Sequence, residues 1–379
     1  MSDEIWTTAR LLKWTADFLA QRGIESPRLE AEILLSKAMG CSRIDLYARF
    51  DEPALEETRV MFRSLVKQRA EGMPTAYLIG EKEFFSYPFK VTPDVLIPRP
   101  ETEHLVSEVL DIVKQRAFNP TIVKSATDVP GADIEPKSVG VPMETISDSV
   151  VELVAEPIVA EPVDAEPMDA ENKQIDVILQ ETDETQIDEL TGESYIKFKP
   201  KANPLENLNL SIVDLGTGSG IIPISLAKNL PMARFIAVDI SESALKVAKA
   251  NAAFHKVRDR IDFRQGDLFG PIDDCQKFDF VVSNPPYIGE SEMPTLDASV
   301  RDFEPELALC SGPKGTEIVE RILRSAPSYL KSGGYLLIEI GPVIHDAVVE
   351  LCKQAEGLKY LKTVSDLARL PRIVVLRAR

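Results

Sequence analysis

Apolar residues recur at helical spacing along residues 1–75: Leu11, Leu12, Phe18 and Leu19, then Leu29, Ile33 and Leu34, then Val60, Phe62, Leu65 and Val66. This predicts a small helical bundle, serving either as a structural cap or as a recognition platform for a macromolecular substrate. The period then shortens. Glu83-Phe84-Phe85 and Phe89-Lys90-Val91 flank Ser86-Tyr87-Pro88 in the manner of a β-hairpin, so residues 76–98 read as a connector. A helix follows within 99–116, starting near Thr102, with Leu105, Val109, Ile112 and Val113 on its apolar face. Acids open it and Lys114 and Arg116 close it, as the helix dipole prefers.

Over 117–207 no period holds. Pro, Val, Ala and acids dominate, with a degenerate repeat in Ala155-Glu156-Pro157, Ala160-Glu161-Pro162 and Ala165-Glu166-Pro167. Self-repulsion and scattered prolines oppose a packed core, so this stretch is expected to be a disordered acidic insertion. Over 208–379 strands alternate with helices. Strands are predicted at 210–214, 234–239, 260–264, 278–283, 335–340, 358–363 and 373–377, and helices include 241–254 and 315–330. Such alternation implies an α/β fold with a mostly parallel seven-stranded sheet covered on both faces. Ligands of these sheets bind at the carboxyl ends of the strands.

Charge sharpens this division. The 379 residues carry a net charge of -18, yet 19 acidic and 6 basic residues lie within 119–204 alone, so the rest is close to balance. With no basic stripe outside the insertion, nucleic acid is not an expected partner. No run approaches a membrane span, and Met1-Ser2-Asp3-Glu4 does not open a leader, so a cytoplasmic protein without membrane contact is expected. Cys41, Cys275, Cys310 and Cys352 are scattered, which argues against zinc or a disulfide framework. No metal is expected.

The first strand runs into Asp214-Leu215-Gly216-Thr217-Gly218-Ser219-Gly220, a turn in which glycine lets backbone approach a ligand closely. A dinucleotide fingerprint needs G-x-G-x-x-G, and here the third glycine comes one residue early; a P-loop is also absent. Asp239 ends the second strand, 23 residues after Gly216, where a carboxylate can accept both ribose hydroxyls. Gly266-Asp267 follows the third strand and can hold an adenine amino group, with Leu268 as a further cofactor-binding candidate. Each Asp alone is an ordinary helix cap. The ordered set indicates a nucleoside-bearing cofactor, and the glycine spacing favours S-adenosylmethionine over NAD.

Asn284-Pro285-Pro286-Tyr287 directly follows the apolar strand 278–283. The Asn284 side-chain oxygen and the Pro285 carbonyl can together accept both hydrogens of a planar NH2 group, with no proline N–H to compete. Tyr287 offers a ring face to a flat amide, Pro286 stiffens the loop, and Asn284 also borders the expected cofactor position. Arg99 is a further substrate-binding candidate, although it can equally bridge to Glu103. Glu304 has the same ambiguity. His104, His255 and His345 have no matching base or metal set.

With these motifs the C-terminal region resembles the class I, Rossmann-like S-adenosylmethionine-dependent methyltransferases, and Asn284-Pro285-Pro286-Tyr287 is similar to the signature of those acting on planar nitrogens. Three further stretches, Gly72-Met73-Pro74-Thr75-Ala76-Tyr77-Leu78-Ile79-Gly80, Leu96-Ile97-Pro98-Arg99-Pro100-Glu101-Thr102-Glu103 and Val300-Arg301-Asp302-Phe303-Glu304-Pro305, look like the release factor glutamine methyltransferase family. The resemblance implies methylation of the side-chain nitrogen (N5) of the glutamine in the Gly-Gly-Gln motif of bacterial peptide chain release factors. Alternatives are a ribosomal-protein glutamine or adenine in DNA, and the acidic insertion disfavours the latter. The insertion departs from the family's short linker, as does Gly315-Thr316, where an apolar residue is usual after the glycine.

Overall fold

The computed structural model describes residues 5–118, 184–187, 194–197, 205 and 207–379. Helices α1 (Thr8–Ala20), α2 (Pro27–Met39), α3 (Arg43–Ala48), α4 (Glu56–Ala70) and α5 (Thr75–Ile79) form the N-terminal part. Thr7 caps α1, and Ser42 and Asp45 close a capping box on α3. Leu12, Leu19, Leu34, Leu35 and Leu46 are fully buried. Leu29 and Val60, expected on the inward face, are instead 39% and 55% exposed. Ala31, Leu34 and Leu35 on α2, and Phe62, Leu65 and Val66 on α4, already fill the apolar stripe.

Strands β1 (Glu81–Phe84) and β2 (Tyr87–Lys90) pair antiparallel around Phe85 and Ser86, whose φ values of 52° and 60° make a two-residue left-handed turn. Tyr87 and Pro88, expected in the turn, therefore belong to the second strand. Next, α6 (Glu103–Phe118) buries Leu105, Val106, Val109, Ile112 and Val113 against the sheet. In a separate unit, Val123–Ala202, β3 (Glu184–Ile187) pairs antiparallel with β4 (Ser194–Lys197). Most of the insertion read over 117–207 lies outside the described residues. Ala117 and Phe118 extend α6, and Leu205 is already buried in the core.

The chain continues through β5 (Ser211–Leu215), α7 (Ile221–Asn229), β6 (Arg234–Asp239), α8 (Glu242–Phe254), β7 (Ile261–Gln265) and β8 (Phe278–Ser283). A short-element region follows: β9 (Ile288–Gly289), α9 (Ala298–Arg301), α10 (Glu306–Leu309) and β10 (Cys310–Gly312). The chain ends with α11 (Glu317–Ser325), β11 (Leu330–Glu339), α12 (His345–Gln354), β12 (Leu358–Ser365) and β13 (Pro371–Ala378). Helix α11 is shorter than its predicted span because Pro327 sits in the tighter turn Ala326–Ser328.

Seven strands form one sheet in the order β12-β13-β11-β8-β5-β6-β7. The run from β11 to β7 is parallel, and β13 lies antiparallel to both of its neighbours. The chain runs from β5 outward through β6 to β7, then returns to β8 on the other side of β5. That reversal opens a crevice at the carboxyl ends of β5 and β8. Leu215 pairs with Ser283, and Ser283 with Ile338, so Gly216, Asn284 and Glu339 leave their strands side by side. Among the described residues, no helix is long and apolar enough to cross a membrane.

Candidate active site

Gly216 and Gly218 carry φ values of 75° and 54°, and both border a cavity of 470 Å³ at the end of β5. Thr217, Ser219, Asp239, Asp267, Leu268 and Asn284 share its wall. Gly220 does not, contrary to its expected place on the cofactor. A Cβ there would sit 3.0 Å from Ile224 Cδ1 and 3.2 Å from Ala248 Cβ. What needs glycine at 220 is thus its positive φ of 82° and the close approach of α7 to α8.

Asp239 is 9% exposed. Its Oδ2 accepts the Gly218 N–H at 2.8 Å and its Oδ1 the Ser241 N–H at 2.9 Å. Burial pushes this carboxyl upward, and the backbone donors oppose the shift. A carboxylate offers about four acceptor sites, and with Ile240 N–H as a third backbone donor about one remains for a ligand. Asp267 pairs through Oδ2 with Arg321 at 2.5 Å, leaving Oδ1 available.

A second cavity, of 300 Å³, lies on the other side of Asn284 and is lined by Tyr287, Leu296, Val300 and Ile344 among others. Leu96, Arg99, Asn284 and Ala308 line both cavities. Asn284 Nδ2 donates to Thr102 Oγ1 at 3.1 Å, which leaves Oδ1 as a free acceptor. Tyr287 packs its ring on Gly341, where a Cβ would come within 2.9 Å of Cδ2. Burial pushes its phenol up to about 12, so it stays neutral. Pro286 lines the first cavity, whereas Pro285 is buried and lines neither.

The stretch from Arg99 to Glu103 ties the site to four other segments. Arg99 reaches Glu304 Oε1 at 2.6 Å, and Glu304 Oε2 accepts the Ile97 N–H at 3.2 Å. The pairing of Arg99 with Glu103 weighed from sequence does not form; Glu103 accepts the Phe85 N–H at 2.8 Å instead. Glu101 meets Arg372 at 3.4 Å. Thr102, fully buried, receives Asn284.

Two cavities that meet at one amide acceptor suit a small donor on one side and an acceptor group on the other. A family model described as the PrmC N-terminal domain matches residues 10–80, and a methyltransferase domain model matches 206–366. The release factor glutamine methyltransferase of Rhodopirellula baltica is 37% identical over 99% of this chain and 98% of its own. That of Geobacter sulfurreducens is 31% identical over 89% and 85%. The chain belongs to the release factor glutamine methyltransferase family. A ribosomal protein L11 methylase structure from Lactobacillus delbrueckii is 18% identical, with a TM-score of 0.34 over 46% of this chain and 72% of that one.

As a class I methyltransferase, the enzyme uses S-adenosylmethionine as its methyl donor. The residues present fit that group, which carries a sulfonium and an ammonium cation. Asp214, 1% exposed beneath the glycine turn, has no partner of good hydrogen-bond geometry on either carboxylate oxygen, and the Thr217 hydroxyl is the polar group beside it. Burial pushes it up to about 7; the Thr217 hydroxyl opposes the shift and the Asp239 charge adds to it. A cation bound above would relieve this buried charge.

Asp214, Thr102 and Glu339, together with Arg321 on the larger cavity, are among the polar residues that sequence reading left out. Asp214 stood within the quoted motif, and its buried strand position was the one available signal. Its raised carboxyl has a consequence for stability. The folded state holds an extra proton between about pH 4 and about pH 7, so stability falls as pH rises through that window. Asp214→Asn is therefore expected to raise the melting temperature by a few degrees at about pH 8 and hardly at all at about pH 4, while weakening cofactor binding. Thermal scans of the unliganded protein at both pH values check this, and an equal gain at both would refute it.

Proposed function

We propose that this enzyme methylates N5 of the glutamine in the Gly-Gly-Gln motif of bacterial peptide chain release factors. The observation that carries this reading is Asn284 on the wall shared by both cavities, with its NH2 already engaged by Thr102 and its oxygen free. An acceptor so placed suits an incoming NH2 group. S-adenosylmethionine, when bound in the larger cavity, supplies an electrophilic methyl carbon.

An amide nitrogen is a poor nucleophile because its lone pair is delocalised into the carbonyl. Asn284 Oδ1 accepts one substrate N–H, fixes the plane of the amide and stabilises the positive charge that grows on nitrogen during transfer. The ring of Tyr287 borders the smaller cavity and offers a flat apolar wall to the amide. Pro286 stiffens the loop, so little ordering is left for binding. Arg99, held by Glu304, shapes the junction of the two cavities. The proton leaves after transfer, when the methylated nitrogen is strongly acidic, so no strong base is required.

Asp239 takes the ribose, and Asp267 with Leu268 takes the adenine. The N-terminal helices serve as a platform for the body of the release factor, whose place in translation puts the enzyme in the cytoplasm. Methyl transfer from labelled S-adenosylmethionine to a purified release factor, located by peptide mass, tests the reading. Label is expected on the Gly-Gly-Gln glutamine and is lost when that glutamine is alanine. A short Gly-Gly-Gln peptide is expected to be a far poorer substrate than the whole factor. Equal rates would remove the platform role, and cofactor binding without label on the factor would remove the substrate.

A further inference from the structure

Glu339 ends β11 beside Asn284, is 1% exposed, and plays no part in the chemistry described so far. Its Oε2 has no hydrogen-bond partner. The polar side chains facing its carboxyl are Thr102 and Asn284; the charged ones are Glu101, from the turn before α6, and Arg372, on β13. Tyr287 also faces it and stays neutral. Thr102 Oγ1 accepts from Asn284 Nδ2, so its own proton is free for the Glu339 carboxyl, which also faces the Asn284 NH2 directly and so holds the same amide polarity from two sides.

We propose that Thr102 and Glu339 are positioning residues that set the polarity of the Asn284 amide. The Glu339 carboxylate accepts the Thr102 hydroxyl, Thr102 Oγ1 accepts Asn284 Nδ2, and Asn284 Oδ1 is thereby turned toward the substrate. This rests on the reading of Asn284 as the acceptor for the glutamine amide. It gives Thr102, in the middle of the Pro-Arg-Pro-Glu-Thr-Glu stretch, a function that its neighbours in ion pairs do not share.

The chain of hydrogen bonds has a direction, and protonation reverses it. A protonated Glu339 donates to Thr102, whose hydrogen then turns to Asn284 and favours the flipped amide. Two NH2 groups would then face each other at the substrate. Burial, opposed by Thr102 and reinforced by Glu101, pushes the Glu339 carboxyl up to about 7. The deprotonated form is the competent one, so the rate is full above that value and is lost as pH falls through it.

The test measures kcat, KM and cofactor affinity for the full-length enzyme on a release factor from about pH 6 to about pH 9. Thr102→Val is expected to lower kcat by about 10- to 100-fold with cofactor affinity unchanged, and Thr102→Ser to restore it. Glu339→Gln keeps an acceptor for Thr102 but cannot titrate, so its acid limb near pH 7 disappears. In the enzyme without ligands, the Asn284 side-chain amide NMR signals are expected to move with pH in the wild type and to stay fixed in Glu339→Gln. A wild-type acid limb retained in Glu339→Gln, a pH-insensitive Asn284 signal, or Thr102→Val within about 3-fold of wild type would each overturn the proposal. The NMR arm needs no substrate. A wild type that fails to label the glutamine counts against the substrate, and unchanged Asn284 signals count against the relay.

Discussion

Asn284→Ala is expected to lower kcat for release factor methylation by about 1,000-fold while changing the dissociation constant for S-adenosylmethionine by less than about 3-fold. The residue borders both cavities, but its free oxygen is proposed to act on the substrate nitrogen alone, where charge develops only during transfer. Truncation also strands Thr102 Oγ1, which is buried and receives Asn284 Nδ2 at 3.1 Å. Asn284→Asp is not expected to rescue. It keeps an acceptor but loses the donor to Thr102, and it sets a further carboxylate beside Glu339, which burial already holds near neutrality. Single-turnover rates with calorimetric cofactor titration separate the two effects. A large loss of cofactor affinity in Asn284→Ala would show that the division of labour between the cavities is wrong.

The second large effect is expected at Asp239, on binding rather than on the chemical step. Asp239→Ala should weaken S-adenosylmethionine by on the order of 100-fold or more, since the charge-assisted hydrogen bonding proposed to the ribose is lost. The same carboxylate also anchors the Gly218 N–H at 2.8 Å and the Ser241 N–H at 2.9 Å, so the glycine turn loosens with it. Asp239→Asn is expected to recover little, because one of those N–H groups would face an NH2 in place of an oxygen. At saturating cofactor, kcat should return to within a few-fold of wild type. A variant that binds normally but turns over slowly would move Asp239 from the cofactor to the reaction.

Much of this site was legible one segment at a time. The alternation of apolar runs placed all seven strands of the sheet, and the turn residues after three of them located Gly216, Asp239 and Asn284 at the carboxyl edge. Each of these depends on local chemistry: a strand must bury its residues, and glycine alone enters left-handed backbone easily. Less legible was the difference between residues that share a motif. Gly216 and Gly218 border the cofactor cavity while Gly220 packs against α8, and Asn284 reaches both cavities while Pro285 reaches neither.

The sequence by itself determined the order of elements, the presence of a nucleoside-type cofactor turn and the residue proposed to meet the substrate amide, because periodicity and turn chemistry act over a few neighbouring positions. Only the tertiary structure decided what holds that residue. Thr102 lies 182 positions from Asn284, and Arg99 lies 205 from Glu304. These pairings exist because β8 lies between β5 and β11, so that Glu339 and the turn before α6 converge on Asn284. Strand order is set by how all the faces are buried at once, a global balance of packing that no local pattern along the chain encodes.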